Sequence, residues 1–154
     1  MEKVGIGIIG CGNISDIYFK AGEVFEILEI KACADIIDER AKAKAEKYNI
    51  PKACSVEELL ADPDIRIVVN LTIPKAHAEV GFRVLEAGKC LYNEKPLCIT
   101  REDGKRLLDI AREKNLLVGG APDTFMGGGL QTCRKLLDDG WIGEPVGASA
   151  FMLC

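Results

Sequence analysis

Two glycines in GCGNIS, residues 10–15, and an aspartate twenty residues beyond Ser15 have the types and spacing that hold a dinucleotide. Gly10 supplies a tight turn, and Gly12 lets the main chain come close to a diphosphate. A helix beginning near Asn13 aims the free N–H groups of Asn13 and Ile14 at those phosphates. The third small residue of the usual G-x-G-x-x-G pattern is here Ser15, a departure that its size makes tolerable. Asp35 ends the next strand-like stretch, where a carboxylate accepts both hydroxyls of a ribose and repels a 2′-phosphate. Ile36 and Ile37 follow, with no cation until Arg40, so the pattern favours NAD over NADP. A plain two-glycine turn is the competing reading of the loop. A helix cap before DERA is the competing reading of Asp35, although Asp38 suits that cap better. No G-x-x-x-x-G-K-[ST] string is present, and IIG, not an acid, precedes the glycines as a methyltransferase would not have it.

A second chemical feature is EKP at 94–96, two charges beside a proline just after the apolar KCLYN. Taken alone, the triplet reads either as a solvated ion pair at a strand end or as a functional group at a sheet edge. The turn TIPKAHA, with Thr72, Ile73, Pro74 and the sole histidine, His77, follows another apolar run, IRIVVNLT.

The elements that must carry these residues alternate. VGIGIIG, LEIKACAD, KAC, IRIVVNLT, KCLYN and NLLVGGA read as strands. Helix patterns fill the gaps: Asn13 to Ala21, DERAKAKAEKY, SVEELLA, Lys75 to Ala87 and REDGKRLLDIAREKN. Ser55 with Glu58 makes a capping box, and Thr100 caps the last helix. Such alternation predicts an α/β fold, a Rossmann-type doubly wound parallel sheet with helices on both faces. The expected division is a dinucleotide-binding domain over 1–121, then a connecting helix and one strand over 122–154. That apolar final strand predicts a chain cut before a second α/β domain.

The 154 residues carry a net charge of −4, which leaves no basic footprint for nucleic acid or an anionic membrane. The apolar runs are too short to span a bilayer. No secretory leader is read at the N-terminus, and the seven cysteines have odd number and irregular spacing, which predicts buried free thiols in a reducing cytoplasm and no metal site.

GIGIIGCGNIS, ACADIIDERA, TIPKAHAEV and EAGKCLYNEKPL, in this order and spacing, resemble the glucose–fructose oxidoreductase/inositol dehydrogenase family, the AGK…EKP block most specifically. The resemblance implies an N-terminal NAD-binding domain of an oxidoreductase acting on a sugar or polyol, with a second domain supplying much of the substrate site. It implies that Lys95 is catalytic and lies beside nicotinamide and substrate, stabilising oxyanion character as hydride leaves. Glu94 would orient that lysine or contact the nicotinamide ribose. Thr72, Ile73 and Pro74 would line the ribose side of the cleft, and His77 would lie near the cofactor unless it is a packing residue. The family's further Asp and His would fall beyond residue 154, and full-length members commonly form homo-oligomers. Asp123 departs from the basic segment that many members carry at this point, which leaves the substrate open. Two other functions stay open beside a dehydrogenase: an NAD-dependent glycoside hydrolase without net redox change, and a non-catalytic NAD-binding module.

Overall fold

The computed structural model describes residues 2–151 and residue 153. Among them are six strands and six α-helices in strict alternation up to the last strand. β1 (Val4–Ile9), β2 (Leu28–Ala34), β3 (Lys52–Ala53), β4 (Ile67–Asn70), β5 (Cys90–Asn93) and β6 (Val118–Gly120) form one sheet. Its order is β3-β2-β1-β4-β5-β6 and every pairing is parallel. This is the doubly wound order, whose direction reverses between β1 and β4.

The helices are α1 (Ser15–Val24), α2 (Asp38–Tyr48), α3 (Val56–Ala61), α4 (His77–Glu86), α5 (Arg101–Glu113) and α6 (Gly128–Asp138). Alternate residues of the strands feed two separate cores, because successive side chains point to opposite faces. Ile6, Ile8 and Val69 pack with Phe19 of α1 and Ala41 of α2. Ile9, Val68 and Leu91 pack with Leu59 of α3, Val84 and Leu85 of α4, and Leu107 of α5. Val68 and Val69, neighbours on β4, are both buried on opposite faces, as expected of a strand covered twice. The capping box at Ser55 and Glu58 forms, with the Glu58 amide donating to Ser55 Oγ at 3.2 Å and the Ser55 amide to Glu58 Oε2 at 2.9 Å. Thr100 caps α5 through Asp103 N–H.

The chain divides between Ala121 and Pro122 into two compact units. In the second, a short 3-10 turn at Thr124–Met126 leads into α6, which takes in two of the three consecutive glycines. Residues 145–151 form no strand, contrary to the expectation for 145–154; Met152 and Cys154 lie outside the described residues. A strand is defined by ladder bonds, and among its described residues this unit has no other strand to provide them. The cysteines also differ in part from expectation. All six described are free, but only Cys11 and Cys33 are buried, and Cys133 on α6 is exposed. No helix among the described residues is long and apolar enough to cross a membrane.

At the edge away from the strands' carboxyl ends, Lys89 is nearly buried and its ammonium donates to the carbonyls of Asp62 and Ile65 at 2.6 and 2.7 Å. Burial lowers its pKa from the ordinary lysine value. This lysine ties the turn before β4 to the start of β5. The other lysine of the AGK…EKP block stands at the opposite edge.

Candidate cofactor-binding site

The sequence-predicted residues converge on the carboxyl edge of the sheet. Gly10 follows β1, Asp35 follows β2, Thr72 follows β4, and Glu94 and Lys95 follow β5. Gly10 has φ +100°, and a Cβ there would lie 2.7 Å from the Leu71 carbonyl and 2.9 Å from Thr72 N. Only glycine permits that approach of the β1 and β4 loops at the point where the sheet reverses. A Cβ on Gly12 would meet nothing within 4 Å. The main chain there is open to approach from outside.

Helix α1 starts two residues later than expected, at Ser15. Asn13 and Ile14 form a turn, because Ser15 N–H and Ser15 Oγ both donate to the Gly12 carbonyl, at 3.2 and 2.6 Å. Ser15 is fully buried. Its hydroxyl therefore replaces the missing third glycine without leaving a buried polar atom unsatisfied. Asn13 and Ile14 remain exposed at the mouth of the turn.

Asp35 is held by two main-chain donors: Cys11 N–H reaches Oδ2 at 2.7 Å and Ile37 N–H reaches Oδ1 at 2.9 Å. Each oxygen keeps a lone pair for a further donor. Neither competing cap forms. Ile37 occupies the N-cap of α2 with no side-chain bond, and Asp38 is the first helical residue. The Cys11 thiol is pushed far above its usual range by its hydrogen bond with Cys33 and by burial, which makes it an inert filler beneath the loop.

Cys11, Gly12 and Asn13 border an open cleft of about 650 Å³ with Asp16, Arg40 and Lys44. Asp16 Oδ1 accepts from Lys44 at 2.6 Å, Tyr48 at 2.6 Å and Lys47 at 3.2 Å. These bonds, that from Lys44 first, hold its carboxyl well below the usual carboxylate range. Lys44 is thus tied to an acid, and Arg40 has no ion-pair partner among the described residues.

The ends of β4 and β5 are locked by a buried amide pair. Asn70 and Asn93 stand opposite each other in register, both fully buried. Asn70 Nδ2 donates to Asn93 Oδ1 at 3.0 Å and to the His77 carbonyl at 3.2 Å. Asn70 Oδ1 accepts from Thr72 Oγ1 at 2.7 Å, and Asn93 Nδ2 donates to the Leu97 carbonyl at 2.8 Å. The His77 ring is 1% exposed, with Nδ1 2.6 Å from the Pro96 carbonyl and Nε2 2.9 Å from the Thr72 carbonyl. Both ring nitrogens lie within hydrogen-bond distance of main-chain carbonyls, so His77 is packed between the turn after β4 and the EKP loop. Pro74 opens a 3-10 turn ahead of α4, and Ile73 before it is 67% exposed, offering a bare apolar surface.

In the EKP loop, the Lys95–Pro96 peptide is cis. Glu94 Oε2 accepts Lys95's own main-chain N–H at 2.6 Å, and Oε1 accepts the Tyr18 hydroxyl at 3.0 Å. The Lys95 ammonium is exposed and unpaired among the described residues, so the expected alternative of an ion pair at a strand end is not formed.

Sequence and fold also resemble those of known proteins. Residues 4–120 match the model of the oxidoreductase family with an NAD-binding Rossmann fold. The chain belongs to the glucose–fructose oxidoreductase/inositol dehydrogenase family. Inositol 2-dehydrogenase of Salmonella typhimurium (strain LT2) is 31% identical over 147 residues, covering 93% of this chain and 42% of that protein. The 1,5-anhydro-D-fructose reductase of Ensifer adhaerens is 32% identical over 152 residues, 94% of this chain and 44% of that protein. A solved 3-ketoreductase from Actinomadura kijaniata, in complex with TDP-benzene and NADP, superposes with a TM-score of 0.87 at 30% identity, covering 93% of this chain and 44% of that one. The chain therefore spans less than half the length of these relatives.

Within this family fold, sequence reasoning missed Asn70, Asn93 and Tyr18. The asparagines had left a signal: each is a polar residue ending a strand otherwise built to be buried. Tyr18 left none, since its partner Glu94 is 76 residues away.

Proposed function

We propose that this chain is the cofactor domain of an oxidoreductase that moves a hydride between a sugar or polyol carbinol and a nicotinamide, NAD in preference to NADP. The observation that carries the reading is the bond from Cys11 N–H to Asp35 Oδ2. It fixes a carboxylate with spare lone pairs against a glycine turn whose open side a diphosphate would fill. The residues suit that group: Gly12, Asn13 and Ile14 at the diphosphate, Asp35 at the adenosine ribose, Thr72, Ile73 and Pro74 along the cleft, and Glu94 near the second ribose. A bound nicotinamide supplies the hydride acceptor or donor. The chain's own contribution is Lys95, whose unpaired ammonium donates to the substrate oxygen and stabilises negative charge developing there. His77 acts indirectly, by holding the loops that carry Thr72 and Lys95.

The preference for NAD rests on Asp35, whose charge opposes a 2′-phosphate. Arg40 on the same cleft is the group that would soften that preference. We also propose that the proton acceptor, homo-oligomer contacts and most of the substrate site lie outside this chain, that residues 1–121 are the cofactor domain and 122–154 a connecting segment, and that the protein is cytoplasmic.

Calorimetric titration of the folded chain with NAD(H) and NADP(H) tests the cofactor reading; no uptake of either would end it. Polyols offered with NAD to a protein of the relatives' full length test the reaction. Steady NADH release supports a dehydrogenase, and glycoside cleavage without release supports the hydrolase alternative.

A further inference from the structure

Resting on the reading of Lys95 above, we propose that Tyr18 is a positioning residue that keeps the Lys95 ammonium available by occupying Glu94. A carboxylate one residue from an ammonium in a loop is an available partner for it, in a pair that contributes only modestly when exposed. Glu94 and Lys95 do not take that arrangement. The carboxylate makes no ion pair with the ammonium and is held at both oxygens, by the Lys95 main-chain N–H at 2.6 Å and the Tyr18 hydroxyl at 3.0 Å.

Tyr18 is placed for this from two sides. Its helix, α1, begins at the glycine turn, which fixes where the ring emerges. The ring then packs edge-on against Tyr92 of β5, with centroids 6.5 Å apart and planes at 62°. That contact sets the hydroxyl beside the end of β5, where Glu94 begins the loop. The glycine turn and the EKP loop, which come from opposite sides of the sheet's reversal point, are thereby joined through one phenol.

Removing the hydroxyl frees Oε1. The closest cation in sequence is Lys95, and a freed carboxylate pairs with it. Lys95 is then drawn toward Glu94 with part of its charge neutralised, which weakens its donation to the substrate oxygen, although the cofactor cleft bordered by Gly12 and Asn13 is untouched.

The test reads the ammonium directly, with no cofactor present. The chain is treated with a limiting amount of an acetylating N-hydroxysuccinimide ester, and acetylation is followed at each lysine by peptide mass spectrometry. Tyr18→Phe is expected to slow acetylation at Lys95 by roughly two- to fivefold, the protection an exposed ion pair gives, with the other lysines unchanged. Glu94→Gln added to Tyr18→Phe restores the wild-type rate, which a general loosening of the loop would not do. Glu94→Gln alone leaves Lys95 at the wild-type rate. The proposal is overturned if Tyr18→Phe leaves Lys95 as reactive as before. It is equally overturned if Glu94→Gln alone speeds the labelling, because Glu94 would then already pair with the ammonium in the intact protein. Failure of NAD to bind would count against the cofactor reading, whereas these rates bear on Tyr18 alone.

Discussion

The main-chain amide of Cys11 and the carboxylate of Asp35 are joined by a 2.7 Å hydrogen bond across 24 residues of sequence. The turn that would receive phosphate and the acid that would receive ribose are therefore one structural piece. Asp35→Ala should weaken NAD binding and also leave the Cys11 N–H without its partner, at a cost of about 1–3 kcal/mol. Calorimetry and chemical denaturation read the two effects separately. Loss of affinity with full stability would mean that the bond matters only to the ligand, and loss of neither would remove Asp35 from the site.

The proposed preference for NAD rests on the charge of Asp35, with Arg40 on the same cleft opposing it. NAD(H) should raise the melting temperature of the chain more than NADP(H) does. Arg40→Ala should reduce whatever shift NADP(H) gives and leave the NAD(H) shift in place. Equal shifts with both cofactors in the wild-type chain would defeat the argument from Asp35's charge.

Lys95→Ala should leave NAD affinity within about twofold, since an exposed, unpaired lysine contributes little to ground-state binding. In a protein of the relatives' full length it should depress turnover by roughly a hundredfold or more, as loss of a single charge-stabilising donor does. Steady-state kinetics beside calorimetry gives both numbers, and unchanged turnover would take Lys95 out of the chemistry.

Asn93→Leu should destabilise the fold by about 2–4 kcal/mol, because the buried Asn70 amide loses one of its two acceptors and the part-buried Leu97 carbonyl loses its donor. Denaturant midpoints measure this. A change below about 0.5 kcal/mol, the size of a bland surface substitution, would show that the pair is dispensable.

Acid should act through Asp16. Its folded-state pKa is depressed by Lys44, Tyr48 and Lys47, so its stabilising contribution is complete above the ordinary aspartate value of about 3.9 and is lost as pH falls through the depressed value. Asp16→Asn should therefore melt below wild type at neutral pH, and the two curves should converge as the solution becomes more acid. A gap that does not narrow would assign the effect to packing. Salt should narrow it as well, since the site is partly exposed.

The parallel sheet, the helices on both faces and the capped starts of α3 and α5 were legible because each rests on local signals: alternating apolar runs, cap residues and punctuating glycines. The last strand was not, since apolar residues at 145–151 indicate a wish for burial but not a partner to bond with. The glycine turn and Asp35 could be read from spacing. Ser15 was legible only as small, and its bond to the Gly12 carbonyl needed the fold. His77 illustrates the limit well: its position beside the site follows from sequence, but its employment by two carbonyls depends on loops from two strands meeting around it.

Gly10 and Gly12 are the same residue type two positions apart, and they carry different evolutionary liabilities. Every replacement at residue 10 adds a carbon where the neighbouring strand's backbone already stands, so that position has no small step open to it. Drift there is paid in folding yield. Alanine at residue 12 would be accommodated, and the scaffold would stay sound. A lineage that keeps only the architecture can change the second glycine long before the first.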